Sequence, residues 1–218
     1  MIKAVIFDLD GVLIDTEYRQ IMIKVDVCTR YGLNWTEDTY TTAAGSKFTD
    51  ILPLLFPDKN ERELKEIRDE YYRVGYDGID YHSLRIPGAG MALNALYNQG
   101  YRIAIASMSF KDKIKEVLEV NHWDKFVETF VSRDDVTKRK PDPDAYLQAI
   151  KKLGLSSEEC VIVEDSHIGI EAAKAAGCKC ICRRENHYPS NQIGADYYID
   201  EMTEVVRIVN EIDEIKNQ

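Results

Sequence analysis

The chain has 218 residues, 44% of them hydrophobic and 30% charged, and a formal net charge of −10 at pH 7. This composition is typical of a globular protein that holds one α/β domain and a smaller insertion, and it excludes a disordered or membrane-embedded chain. The acidic balance argues against general nucleic-acid binding, so we expect no nucleic-acid partner. The first apolar run ends at Asp8, too early for a membrane span, so we expect no membrane partner and a cytoplasmic protein.

The predicted elements begin with a strand and continue with helices. Residues 2–7 are mostly apolar and predict a strand buried on both faces. A helix is predicted from Thr16 to about Tyr31, and further helices near residues 47–56 and 60–76, with no strand between them. The segment Ile-Pro-Gly-Ala-Gly at residues 86–90 then interrupts the helical pattern.

Beyond residue 90 the pattern alternates between strands and helices. Such alternation predicts an α/β fold, a Rossmann-like parallel sheet with helices on both faces. Because the first strand belongs to this sheet, we expect residues 1–15 and 87–218 to form the core, with residues 16–86 inserted as an all-helical cap domain that can hinge over the strand ends. The predicted strands cover residues 101–107, 126–131, 160–163, 178–182 and 197–199, and the predicted helices cover residues 111–121, 143–153, 168–176 and 201–215.

Polar residues lie directly after several of the predicted strands. Asp8 and Asp10 follow the first strand, and Gly11 then lets the backbone turn sharply. Because open α/β sheets bind ligands at the carboxyl ends of their strands, we expect these side chains to assemble at one edge of the sheet. Paired carboxylates suit either a hard cation or a nucleophile with a neighbouring acid. The expected set is Asp8, Asp10, Ser107, Lys140, Glu164 and Asp165.

Four segments of the chain carry a resemblance to a known family. They are Asp8-Leu-Asp-Gly-Val-Leu-Ile-Asp-Thr16, Ser107, Lys140-Pro-Asp-Pro143 and Glu164-Asp-Ser-His-Ile-Gly169. In order and spacing the chain resembles the haloacid dehalogenase superfamily, in the branch with a helical cap inserted after the first motif. Two aspartates one residue apart are common, but four motifs in order, each after a predicted strand, are specific. The resemblance covers essentially the whole chain.

The resemblance implies a catalytic role for four of these residues. Asp8 would attack phosphorus and form an aspartyl-phosphate, which is a known use of a carboxylate nucleophile. Asp10 would protonate the leaving alcohol and later deprotonate the water that hydrolyses the intermediate. Lys140 would pair with both the nucleophile and the phosphoryl oxygens, and Ser107 would donate a hydrogen bond to the same group.

The resemblance also implies a metal and a substrate site. Mg²⁺ would be held by the Asp8 carboxylate, the Asp10 backbone carbonyl and Asp165. Glu164 would be either a direct ligand or a residue that orients the ligands, and the sequence leaves both roles open. The residues expected to bind substrate are Thr16, Gly45, Lys47, Ser107, Met108 and Lys140.

Asp10 separates phosphoryl transfer from dehalogenation, because the dehalogenases that resemble this pattern lack the second aspartate. We therefore expect a Mg²⁺-dependent phosphatase acting on a small phosphorylated metabolite, with a sugar phosphate the most natural guess by resemblance. The first alternative is a sugar phosphomutase resembling β-phosphoglucomutase. Those enzymes carry a histidine and an arginine at positions that are Gln20 and Phe48 here, and an arginine clamp on a second phosphate would be lost.

A second alternative is a non-catalytic phospho-ligand-binding regulator on the same fold. Such a protein is expected to lack Asp8 or Asp10, and both are present. The oligomeric state is left open, with a monomer favoured.

The five cysteines indicate reduced thiols rather than a disulfide framework, because their number is odd. Cys178, Cys180 and Cys182 alternate along a predicted strand and therefore share one face. A soft-metal site is conceivable there, but we interpret them as small side chains buried beneath a helix.

Overall fold

The apolar run at the start of the chain forms β1 (Ala4–Phe7), a central strand of a parallel sheet in the computed structural model. The structure describes residues 1–36, 39, 47–76, 78–186 and 191–216, without the side chains of Tyr76 and Lys216. All four residues of β1 are buried, as expected of a strand covered on both faces.

Six strands pair side by side in the order β3-β2-β1-β4-β5-β6. Each pairing is parallel, and Phe7 at the end of β1 lies opposite Ile105 and Val163. This register places the residues after β1, β2 and β4 at one edge of the sheet, and the α/β prediction is confirmed. The remaining strands are β2 (Arg102–Ala106), β3 (Thr129–Val131), β4 (Cys160–Glu164), β5 (Lys179–Arg183) and β6 (Tyr197–Ile199).

The described residues form eight α-helices, of which seven lie at or near the predicted positions. They are α1 (Thr16–Arg30), α2 (Phe48–Leu55), α3 (Glu61–Tyr76), α4 (Ala89–Asn98), α5 (Lys111–Val120), α6 (Asp144–Leu153), α7 (His167–Ala175) and α8 (Glu204–Lys216). A short 3₁₀ turn, Ser157–Glu159, precedes β4.

Helix α4 is not predicted from the sequence, because the Pro-Gly-Ala-Gly segment indicates a loop. The helix begins inside that segment, after Gly88, which has a positive φ of 81° and forms the N-cap. Ala89, Leu93 and Leu96 then bury one helical face. The predicted strand at residues 126–131 was also too long. Its first two residues form a turn, with the N–H groups of Phe126 and Val127 bonded to the Trp123 carbonyl.

The chain divides into two compact units. The first, which we call the sheet unit, contains Met1–Asp15, Tyr81–Glu185 and Asn191–Gln218. The second, which we call the helical unit, contains Thr16–Asp80 and Asn186–Ser190. The first segment of the helical unit thus ends at residue 80, whereas the cap was predicted to end at residue 86.

The helical unit has its own apolar core, formed where α1, α2 and α3 meet. Val27, Phe48, Leu52, Ile67 and Tyr71 are all buried in it. Such a core explains why these helices form without a sheet, since each contributes one apolar face.

The cysteines of the sheet unit pack in the apolar cluster beneath α6 and α7. Cys160, Cys178, Cys180 and Cys182 are buried there, and all five cysteines of the chain are free thiols. Burial raises the pKa of the Cys182 thiol to about 12 and that of Cys180 further still. The interpretation of these residues as packed thiols is therefore confirmed. Among the described helices, none is long and apolar enough to cross a membrane.

Candidate active site

Asp8 stands at the point where β1 ends. Its backbone N–H continues the sheet by donating to the Val163 carbonyl at 2.9 Å. The carboxylate is buried, and its Oδ1 accepts a hydrogen bond from Lys140 Nζ at 2.5 Å. Burial, together with the Glu164 and Asp10 carboxylates, raises the pKa of Asp8 to about 7 against the lowering effect of the Lys140 ammonium.

Lys140 is held by four acceptors. Its Nζ lies 2.5 Å from Asp8 Oδ1, 2.6 Å from Glu164 Oε1, 2.8 Å from the Tyr146 hydroxyl and 3.1 Å from the Ala106 carbonyl. Because an ammonium has only three N–H donors, these four acceptors use its full donor capacity and hold Lys140 in place. Burial alone would lower the pKa of Lys140, but the Asp8 and Glu164 carboxylates together raise it, and we infer that the ammonium stays protonated.

Glu164 is engaged at both carboxylate oxygens. Oε1 accepts from Lys140 and from the Tyr146 hydroxyl at 2.6 Å. Oε2 accepts from the N–H groups of Asp165 and Ser166 at 2.9 and 3.1 Å and from the Ser166 hydroxyl at 3.1 Å. Although burial opposes ionisation, Lys140 and these donors lower the pKa of Glu164. The arrangement favours a role in orienting neighbouring groups over direct metal ligation.

The buried cluster of Asp8, Lys140 and Glu164 has two carboxyl groups and only one ammonium. One ammonium serves two carboxylates, and Glu164 receives most of the hydrogen-bond donors. Asp8 is therefore the carboxylate whose negative charge the protein leaves least compensated, which agrees with the opposite directions of the two pKa shifts. A site of this kind attracts a cation.

Asp165 lies against the loop that follows β1. A β-carbon placed at Gly11 would overlap its carboxylate, and Gly11 also has a positive φ of 81°. Only glycine therefore allows Asp165 to approach this loop so closely. The contact brings together the segments of Asp8 and Asp165, the two carboxylates predicted to hold a metal.

These groups fit Mg²⁺. It prefers oxygen ligands, takes one or two protein carboxylates and keeps several waters, so the Asp8 and Asp165 carboxylates with the Asp10 carbonyl would suffice. In the described part of the chain, no three His, Cys, Asp or Glu side chains gather into a metal-binding cluster. The fit therefore rests on two carboxylates and one backbone carbonyl rather than on a cluster of three or more ligating side chains.

The carboxylate of Asp10 is held by two residues that the sequence analysis did not identify. Ser109 Oγ donates to Oδ2 at 2.6 Å, and Lys113 Nζ pairs with Oδ1 at 2.6 Å. Ser109 could have been noticed, since it lies two residues beyond the predicted Ser107. Lys113 lies on an amphipathic helix, where a lysine gives no sequence signal.

Ser107 is buried at the end of β2, as predicted. Its N–H donates to the Val131 carbonyl at 3.0 Å, and its hydroxyl oxygen accepts from the N–H of Ser109 at 3.0 Å. The hydroxyl hydrogen can therefore be donated elsewhere. The next residue, Met108, is half-buried and packs against the apolar cluster of the sheet unit.

Tyr146 is a further member of the site that the sequence analysis missed. Its side chain is fully buried, and its hydroxyl bridges Lys140 and Glu164. In the sequence it occupies the apolar face of a helix, where a tyrosine usually contributes only its ring.

Three predicted substrate residues belong to the segment assigned to the cap. Thr16 is buried at the first position of α1, and Lys47 is exposed at the residue before α2. Gly45 lies outside the described residues. Their contacts with substrate stay predictions.

The chain is similar in sequence and in fold to phosphatases and related hydrolases. The chain is 33% identical over 184 residues to the phosphorylated carbohydrates phosphatase of Thermotoga maritima, covering 82% of this chain and 83% of that one. It is 30% identical over 222 residues to the pyrophosphatase PpaX of Listeria innocua, covering 96% and 97%. A HAD family hydrolase from Deinococcus radiodurans, solved with bound phosphate and sodium, superimposes with a TM-score of 0.81 at 25% identity, covering 97% of this chain and 96% of that one.

A family match covers the motifs already located in the fold. Residues 5–182 match the family described as haloacid dehalogenase-like hydrolase, a range that includes all four motifs. The resemblance seen in the sequence is confirmed. The chain therefore belongs to the haloacid dehalogenase-like hydrolase family and is a hydrolase of phosphoric esters.

Proposed function

We propose that this protein is a Mg²⁺-dependent phosphatase that hydrolyses a small phosphorylated metabolite through an aspartyl-phosphate on Asp8. The observation that carries the proposal is the buried contact of 2.5 Å between Lys140 Nζ and Asp8 Oδ1, in a cluster with one carboxylate in excess. A carboxylate that attacks a phosphate monoester meets like-charge repulsion, so cations must be present. When bound, Mg²⁺ would supply the positive charge that Lys140 alone does not.

The proposed first step transfers the phosphoryl group to the protein. An Asp8 oxygen forms a bond to phosphorus while the bond from phosphorus to the leaving oxygen breaks. Asp10 gives a proton to that leaving oxygen, which requires its carboxyl group to be protonated in the substrate complex and its ion pair with Lys113 to be released there. Lys140 and the Ser107 hydroxyl bind the phosphoryl oxygens.

The proposed second step restores the protein. Asp10, now ionised, takes a proton from a water molecule as that water attacks phosphorus. The bond between phosphorus and Asp8 breaks, and inorganic phosphate leaves. Asp10 thereby regains the proton that it gave away, and the atoms and charges return to their starting state.

Contacts within the helical unit support a phosphatase over a mutase. The Tyr71 hydroxyl donates to Gln20 Oε1 at 2.6 Å, and the Tyr71 ring packs on Phe48 with the centroids 4.2 Å apart. Phe48 is only 3% exposed. Mutases carry a histidine and an arginine at the positions of Gln20 and Phe48. Here Tyr71 contacts both side chains, and neither of them offers a cation for a second phosphate.

The substrate class is proposed from the relatives and the site. One relative is named for phosphorylated carbohydrates and one for pyrophosphate, and we favour a sugar phosphate. We further propose that the helical unit acts as a cap domain that selects among substrates. A purely ligand-binding regulator is less well supported, because both Asp8 and Asp10 are in place.

The test is an assay of purified protein with Mg²⁺ and a panel of sugar phosphates, other small phosphomonoesters and pyrophosphate. Free phosphate and the positional isomers of hexose phosphate are measured together. The proposal expects phosphate release that disappears with EDTA and in Asp8→Asn. Isomerisation without net release would instead establish the mutase, and binding without turnover of any substrate would favour the regulator.

A further inference from the structure

Two side chains outside every motif connect the loops that carry the proposed metal ligands. Arg183 ends β5, and Gln192 lies in the chain that leads toward β6. Neither lies next to Asp8, Asp10 or Asp165 in the sequence. In the fold, however, both contact the backbone of those loops.

Gln192 contacts three separate backbone groups. Its Nε2 donates to the carbonyl of Asp165 and, at 2.8 Å, to the carbonyl of Arg183. Its Oε1 accepts from the N–H of Glu185 at 3.0 Å. Both amide hydrogens and the carbonyl oxygen are therefore in use, so the side chain has one well-defined orientation. Gln192 thus fixes the loop after β4 to the end of β5.

Arg183 fixes the loop after β1 to the same strand. Its guanidinium is buried, and NH1 donates at 2.8 Å to the carbonyl of Gly11, one peptide beyond the Asp10 carbonyl. Glu185 Oε2 lies 3.6 Å from that NH1, and its side chain is only 2% exposed. The acidic partner offsets a buried positive charge that would otherwise repel a cation nearby.

We infer that Arg183 and Gln192 are positioning residues for the cation site. Together they hold the Asp10–Gly11 segment and the Asp165 backbone at a fixed separation, so the oxygen ligands are arranged before the metal arrives. Mutation of residues that orient metal ligands typically weakens metal binding by about 10- to 100-fold. The inference rests on the proposed function for the identity of the ligands.

The test measures metal binding without substrate. Mg²⁺ affinity is determined by isothermal titration calorimetry and Mn²⁺ affinity by electron paramagnetic resonance, for the unsubstituted protein, Gln192→Leu and Gln192→Met. Methionine keeps the length and flexibility of glutamine and loses both donors without adding a charge beside the cation site, so it is the variant measured if leucine does not fold. The matched control is Gln148→Leu, because Gln148 Nε2 also donates twice, to the Asp135 carbonyl at 2.9 Å and to Asp144 Oδ1 at 3.0 Å.

We expect both Gln192 variants to bind either metal about tenfold or more weakly, and Gln148→Leu to bind it as the unsubstituted protein does. Equal affinities in all four proteins would overturn the inference while leaving the phosphatase proposal intact. Absence of binding in the unsubstituted protein would overturn the metal-dependent function together with the inference.

Discussion

Lys140 Nζ lies 2.5 Å from Asp8 Oδ1, although 132 positions of the chain separate the two residues. Lys140 lies in the loop after β3 and Asp8 directly follows β1, so only the folded sheet brings them together. Both are buried, and the same ammonium also holds Glu164. The nucleophile proposed for this enzyme is thus oriented by a fixed cation whose charge is shared between two carboxylates.

Tyr146→Phe is expected to lower kcat by about tenfold or more, because a hydrogen bond to a charged group contributes about 1.5–3 kcal/mol. The ring still fills its buried place, so the fold should persist. KM should change little, since the hydroxyl contacts Lys140 and Glu164 rather than substrate. Steady-state kinetics on the best substrate of the panel measure both constants.

The matched control for that variant is Tyr101→Phe. Tyr101 also lies in the sheet unit, and its hydroxyl donates to Asn210 Oδ1 at 3.0 Å rather than to Glu164. Its kcat should stay unchanged. If both variants keep full kcat, the hydroxyl of Tyr146 has no part in positioning Lys140.

Gly169→Ala is expected to destabilise the protein by about 1–3 kcal/mol, as overpacking a filled site does. Gly169 lies in α7, and a β-carbon there would overlap the Glu164 carboxylate. Gly75→Ala, in α3, is the control, because its β-carbon would meet only Gln20 Oε1 at an ordinary 3.7 Å. That substitution should stabilise by about 0.5–1 kcal/mol through the better helix propensity of alanine. Urea unfolding measures both variants. If the two substitutions change the free energy of unfolding in the same direction, the close packing at Gly169 is refuted.

Stability should fall in alkaline solution because of the buried thiols. Burial raises the pKa of Cys28 and of Cys182 from the usual 9.0 to about 12. Above about pH 9 the unfolded chain loses these protons first while the native state keeps them, so the free energy of unfolding decreases as pH rises toward 12. Each thiol contributes a slope of at most about 1.4 kcal/mol per pH unit.

Urea unfolding across this alkaline range measures the slope, and Cys182→Ala provides the comparison. Removal of one such thiol should make the decrease with pH shallower. A slope identical to that of the unsubstituted protein would mean that Cys182 titrates normally in the folded state.

The sequence predicts the sheet and most of the site because strand ends and motifs are local features. Asp8, Ser107 and Glu164 each follow a hydrophobic run, and the parallel pairing of those runs brings them to one edge. The helix α4 was missed because its N-terminal turn contains the glycines that usually mark a loop. Tyr146 and Gln192 could not be found in this way, since their roles come from hydroxyl and amide contacts across distant segments. Whether Glu164 binds metal directly also depends on which donors surround it, which only the fold reveals.

The aspartyl-phosphate on Asp8 is tested most directly with the Asp10→Asn variant and an aryl phosphate substrate. Its leaving group needs no proton from Asp10, so the intermediate should still form while its hydrolysis is slow. The variant is mixed with substrate and Mg²⁺, quenched in acid and digested, and the peptide containing Asp8 is examined by mass spectrometry. The account predicts the added mass of one phosphoryl group on that peptide, at Asp8 itself, and no such addition when Asp8→Asn is introduced as well. Phosphate release by the unsubstituted protein that persists in Asp8→Asn would contradict it.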